Sequence, residues 1–127
     1  MKEQEKIYTQ HVENSEWISK LKFYDDEISI LTNRLSEIAS KNNQSDVVAQ
    51  IEQFQNKFIL QKNNIDEIAH KINLNEEALM KEINANPVAA DHRKTEYHAS
   101  EKESVEWFEN NFNSLRTDFK TFAAKWM

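Results

Sequence analysis

Apolar residues recur through this chain at alternating steps of four and three, and that spacing restricts the fold more than anything else in it. Trp17, Leu21, Tyr24, Ile28, Leu31, Leu35 and Ile38 form one unbroken series. Such a series is a narrow stripe along one side of a helix, and it has no counterpart in a strand, where sidedness repeats every two residues. It stops at the polar run Lys41-Asn42-Asn43-Gln44-Ser45-Asp46, where Ser45 or Asn43 is expected to cap the next helix. A second series runs Val47, Ile51, Phe54, Phe58, Gln61, Ile65, Ile68, Ile72, Asn75, Leu79, with Gln61 and Asn75 its polar members. At Asn86-Pro87 the residue before proline is pushed out of the helical region and proline suits a first helical position, so a third helix is expected from there. Its stripe is Val105, Phe108, Phe112, Leu115, Phe119, Phe122 and Trp126, dominated by aromatic rings.

The breaks divide the 127 residues into nearly equal thirds, with helices expected at about 5–42, 45–84 and 87–126. Helices of about 40 residues are roughly 60 Å long, and short connections make sequential helices antiparallel. The expected fold is therefore all-α, one domain of three long antiparallel helices in an up-down-up, coiled-coil-like bundle. Composition agrees. The chain has no Gly and one Pro, which leaves no means of building tight positive-φ turns, a P-loop, a dinucleotide fingerprint or a nucleophile elbow. With no Cys, thiolate metal sites, cysteine nucleophiles and disulfides are excluded.

A net charge of −6, with Lys and Arg scattered singly among acids, leaves no basic stripe to follow a phosphate backbone. The same charge is repelled by anionic lipid. Neither nucleic acid nor membrane is expected as a partner. The first residues carry no apolar leader segment, and no run reaches membrane-spanning length, so a cytoplasmic location is expected.

The stripes change character at one end. Continued toward its start, the third passes through Glu101, His98, Lys94 and Asp91, and the first passes through Asn14, Gln10 and Ile7. Folding the chain about its two breaks brings position 14 level with about 74, and 74 with about 100. Asn14, Asn75, His98 and Glu101 then share one end, with His11, Glu76, Glu77 and His92 near them. Frayed, hydrated helix ends are one explanation. A divalent-metal site is the other, with His11, His98, Glu101 and a carboxylate from Glu76 or Glu77, preferably Glu77, as ligands, because imidazole with carboxylate suits Zn, Fe or Mn. Glu67-Ile68-Ala69-His70 matches the Glu-x-x-His element of di-iron bundles, but Ile65, Ile68 and Ile72 hold the stripe and turn Glu67 and His70 away from it. His92 and His98 are on different helix faces, and Asp25-Asp26-Glu27 is a charged outer face. No catalytic constellation emerges.

Ile18, Phe23, Ile30, Ile59, Leu60, Leu74 and Trp107 lie off the stripes. They either widen the core or form an exposed patch, for which Phe23, Ile30, Leu60 and Trp107 are the candidates and Trp107 the anchor. His11, Glu16-Trp17, Leu21-Lys22-Phe23-Tyr24, Glu27-Ile28, Arg34-Leu35 and the ending Phe119-Lys120-Thr121-Phe122-Ala123-Ala124-Lys125-Trp126-Met127 resemble a group of small all-helical bacterial proteins without an assigned activity. That resemblance implies a helical fold and no function. The expected function is a non-enzymatic helical interaction or scaffold protein without cofactors, binding a protein partner or itself, as in a homodimer. A metal- or small-ligand-binding bundle and an acidic helical chaperone or adaptor are the alternatives.

Overall fold

The computed structural model describes the backbone of residues 2–85 and 91–127, and side chains at 9–81, 84 and 98–127. Three helices occupy it, α1 (Lys2–Lys41), α2 (Ser45–Ala85) and α3 (Asp91–Trp126), each packed on the other two. Contacts at increasing positions give the directions. Trp17 meets His98 and Tyr24 meets Phe108 and Phe112, so α1 and α3 run parallel. Asp25 bonds Lys62 while Asn14 bonds Glu76, so α2 runs against α1. The bundle is up-down-up, as the stripes predict. The expected Asn86-Pro87 boundary lies outside the described residues.

All three stripes face inward. Their apolar members are buried or partly buried, and the polar members Gln10, Asn14, Gln61, Asn75 and Glu101 are buried with them. Toward the α1–α2 turn the core is a set of interlocking rings. Phe54 and Phe58 of α2 meet Phe119 and Phe122 of α3 at centroid distances of 5.0 to 5.4 Å, within the range where edge and tilted arrangements are favourable. Of the seven apolar residues off the stripes, Ile18 packs against this core and the other six are exposed.

The α1–α2 turn departs from expectation in one detail. The carbonyl of Gln44, rather than Asn43 or Ser45, accepts the first helical bond, from the Val48 N–H at 2.9 Å. Ser45 therefore sits inside the first turn, and among the described residues no side-chain bond from Asn43 or Ser45 caps α2. Asp46 supplies a negative charge in that turn instead, where the helix dipole favours it. The polar residue that ties the turn to its neighbours is Asn42. Its amide nitrogen donates to the Ile38 carbonyl at 2.9 Å and to the Trp126 carbonyl at 3.0 Å. One side chain thus satisfies the open C-terminal ends of α1 and α3 together.

Two cross-helix contacts surround Tyr24. Arg116 of α3 donates to Glu27 of α1 at 2.5 Å while its guanidinium lies 5.0 Å from the Phe112 ring and 6.0 Å from that of Tyr24. Burial raises the Tyr24 phenol above its ordinary 10.0, the Glu109 charge raises it further, and Arg116 opposes both. A raised folded-state value means that the stabilising contribution is complete below pH 10.0 and is lost as pH rises through the folded value. Tyr24→Phe should therefore show a shallower loss of stability than the parent above that pH, measured as denaturation midpoints along an alkaline series. Asn42→Ala should lower stability by about 1–2 kcal/mol through two lost carbonyl partners, seen as a reduced midpoint at unchanged denaturant slope.

Candidate functional site

The polar end is assembled from residues one helical step off the stripes as well as on them. Asn14 is on the α1 stripe, which places His11 on the flank toward α2 and Glu13 on the flank toward α3. The His11 Nδ1–H donates to Glu76 Oε1 of α2, and the Asn14 amide donates to the other oxygen of the same carboxylate at 2.7 Å. On the opposite flank the His98 Nε2–H donates to Glu13 at 3.0 Å. The His98 ring stacks on Trp17, with centroids 4.6 Å apart and planes 29° from parallel. Each imidazole is thereby committed to a carboxylate on a different helix.

These pairings separate the residues that the metal reading would unite. His11 and His98 are on opposite flanks of α1, Glu101 is buried between the helices, and Glu77 is exposed to solvent. Among the described residues no three His, Asp or Glu side chains are placed to hold a metal ion. His92 lies outside the described side chains. Glu67 pairs on the surface with Lys71 at 3.2 Å, and His70 is exposed. The carboxylates that hold the imidazoles are Glu76 and Glu13. Glu76 stands among the neighbours expected from the sequence. Glu13 was not legible as a partner, because it is off the stripe and its pairing depends on the parallel α1–α3 register.

Several buried polar atoms at this end have no hydrogen-bond partner among the described residues: Gln10 Oε1, Asn14 Oδ1, His98 Nδ1 and both amide atoms of Asn75. Asn75 also borders an open groove of about 490 Å³ between α2 and α3, beside Leu74, Ala78, Ser100, Glu101 and Ser104. Burying an amide without partners is unfavourable, so the end is specified by polarity at a cost in stability.

The three inter-helix grooves are closed by different means. Across α1 and α3 run Lys20–Glu109 at 3.2 Å, Arg116–Glu27 at 2.5 Å and His98–Glu13 at 3.0 Å. Across α1 and α2 run Lys62–Asp25 at 2.7 Å and the Glu76 pairings. Across α2 and α3, among the described residues other than Glu101, no side-chain hydrogen bond or ion pair is formed. This third groove also carries the exposed apolar residues Leu60, Leu74 and Trp107, each more than half exposed. Leu74 borders the groove beside Asn75, and Leu60 borders a second one of about 200 Å³ with Lys57, Asn111 and Asp118. Trp107 sits between them, since Ser104 and Asn111, one turn to either side, line the two grooves.

The four residues expected to form an apolar patch thus divide between two faces. Leu60 and Trp107 flank the α2–α3 groove. Phe23 and Ile30, 64% and 54% exposed, lie on the α1 flank beside Lys20 and Glu27, which reach to α3. Leu74, read from the sequence only as an off-stripe residue, joins the first pair.

Asn75→Leu should raise stability by about 1–3 kcal/mol, because an unpaired buried amide gives way to an apolar group at a stripe position. Thermal and denaturant unfolding would measure it, and a fall in stability would mean that the amide is satisfied in solution. Comparison with known proteins finds no family model that matches this chain, and no curated protein or solved structure that is significantly similar to it.

Proposed function

We propose that this chain is a non-catalytic interaction protein of the cytoplasm, and that its α2–α3 face is the surface on which a partner helix docks. The observation that carries the reading is the contrast among the grooves. Two carry charged pairs across the helices, and the third sets three exposed apolar residues, Leu60, Leu74 and Trp107, along two open grooves, whereas the α1–α2 interface has one open groove of about 330 Å³ beside the exposed Ile59. Apolar anchors beside grooves are how an amphipathic helix is received, and Trp is enriched among residues that dominate such contacts.

Charge supports the same face. The chain carries a net −6, yet the α3 row along this groove, Ser100, Trp107, Ser114 and Thr121, is uncharged and exposed. The two openings along it are lined by Lys57 and Lys71 of α2 and by Asp118 and Glu101 of α3, two charges of each sign. A surface with little net charge inside an acidic molecule offers a partner the least desolvation of like charge.

A photo-crosslinking amino acid placed at Trp107, compared with one at the exposed Lys22 on α1, tests the reading in the host cell. Adducts to a polypeptide are expected from position 107 and not from 22. No adduct from 107, or equal adducts from both, would overturn it.

A further inference from the structure

We infer that the groove between α2 and α3 at the polar end binds a small uncharged molecule through a primary carboxamide, which Asn75 reads. The groove measures about 490 Å³, a size typical of small-molecule sites. Asn75 borders it from a stripe position and is 7% exposed, yet neither its amide nitrogen nor its oxygen has a hydrogen-bond partner among the described residues. An amide buried in this way lowers the stability of the fold, and polar groups kept at such a cost are a recurrent mark of sites shaped for binding. No hydrogen bond holds the amide in its present orientation. The torsion that carries it is broad and soft, so turning it into the groove breaks nothing.

The chemistry of the walls selects the ligand. Asn75 offers a donor and an acceptor side by side. A carboxylate matches only the donor, and an amine or amidine cation matches only the acceptor. A primary carboxamide matches both at once, its carbonyl accepting from Asn75 Nδ2 and one N–H donating to Asn75 Oδ1. Ser104, on the facing wall, can accept from the second N–H. Its own hydroxyl hydrogen is donated to the Ser100 carbonyl at 3.1 Å, which leaves the oxygen as an acceptor. Leu74 and Ala78 give the apolar body of the ligand a wall beside Asn75. Charge turns an anion away, because the buried Glu101 carboxylate borders the same groove while Lys71 is engaged by Glu67 at 3.2 Å. The site lies at the Leu74 end of the docking face and goes beyond that reading, since it requires no partner on the rest of the face.

Benzamide is the probe, titrated into the isotope-labelled full chain while backbone amide resonances are followed. Shifts are expected at residues 74–78 of α2 and 100–104 of α3. Methyl benzoate, which can only accept, and benzoate, which is also charged, should each bind about tenfold more weakly or worse. Asn75→Leu should weaken benzamide by a similar factor. That substitution is expected to stabilise the fold, so unfolding cannot imitate the loss. Benzamide that leaves these residues unshifted up to its solubility limit, binding that survives Asn75→Leu, or equal binding of the ester or the acid would each overturn the inference. All are read on the pure protein, so they leave the crosslink at position 107, and the docking reading it tests, to stand or fall separately.

Discussion

Each helix has an apolar stripe two residues wide per heptad, and the structure depends on covering it from two sides at once. A spacing that averages 3.5 residues keeps the stripe in place along about 40 residues without drifting around the helix. Because both neighbours share that stripe, the flanks beside it also come face to face, and their charges determine how each groove closes. The ion pairs of α1 with both other helices follow from this arrangement. So does the α2–α3 groove, where among the described residues serine, asparagine and lysine hold most of the flank positions.

The interior is graded along its length. At the α1–α2 turn it is nearly all ring and aliphatic carbon, and at the other end it holds amides, imidazoles and a buried carboxylate. Polar groups at stripe positions destabilise, yet they limit which registers are acceptable, since a shifted helix would place an amide among the phenylalanines. Glu76 shows how this works. Its two oxygens are claimed by His11 and Asn14, one helical turn apart, so a slip of α2 breaks both bonds together.

The fold was legible in the sequence because its signal is periodic and repeated, and because the absence of glycine left few other chain paths. The polar end was legible for the same reason, as a continuation of the stripes. What stayed hidden depends on how three helices face each other. Glu13 is an ordinary surface acid until α3 brings His98 to it. Asn42 looks like a loop residue until the end of α3 arrives beside it. Phe23 and Trp107 sit at comparable heights, but only the packing shows that they look out over different grooves. Burial of the off-stripe residues was equally undecidable from spacing, since Ile18 is taken into the core while Ile59 and Leu60 are not.

The aromatic lock between Phe54 and Phe58 on one side and Phe119 and Phe122 on the other has a consequence for synthesis. The phenylalanines of α2 emerge from the ribosome long before their partners, which come close to the end of α3. Until those residues leave the exit tunnel, α1 and α2 can form a hairpin but keep an uncovered aromatic strip. Completion of the core, and the closing bond from Asn42 to Trp126, must therefore wait until the end of α3 has been translated. During that interval the nascent chain exposes the surface that a holding chaperone would recognise.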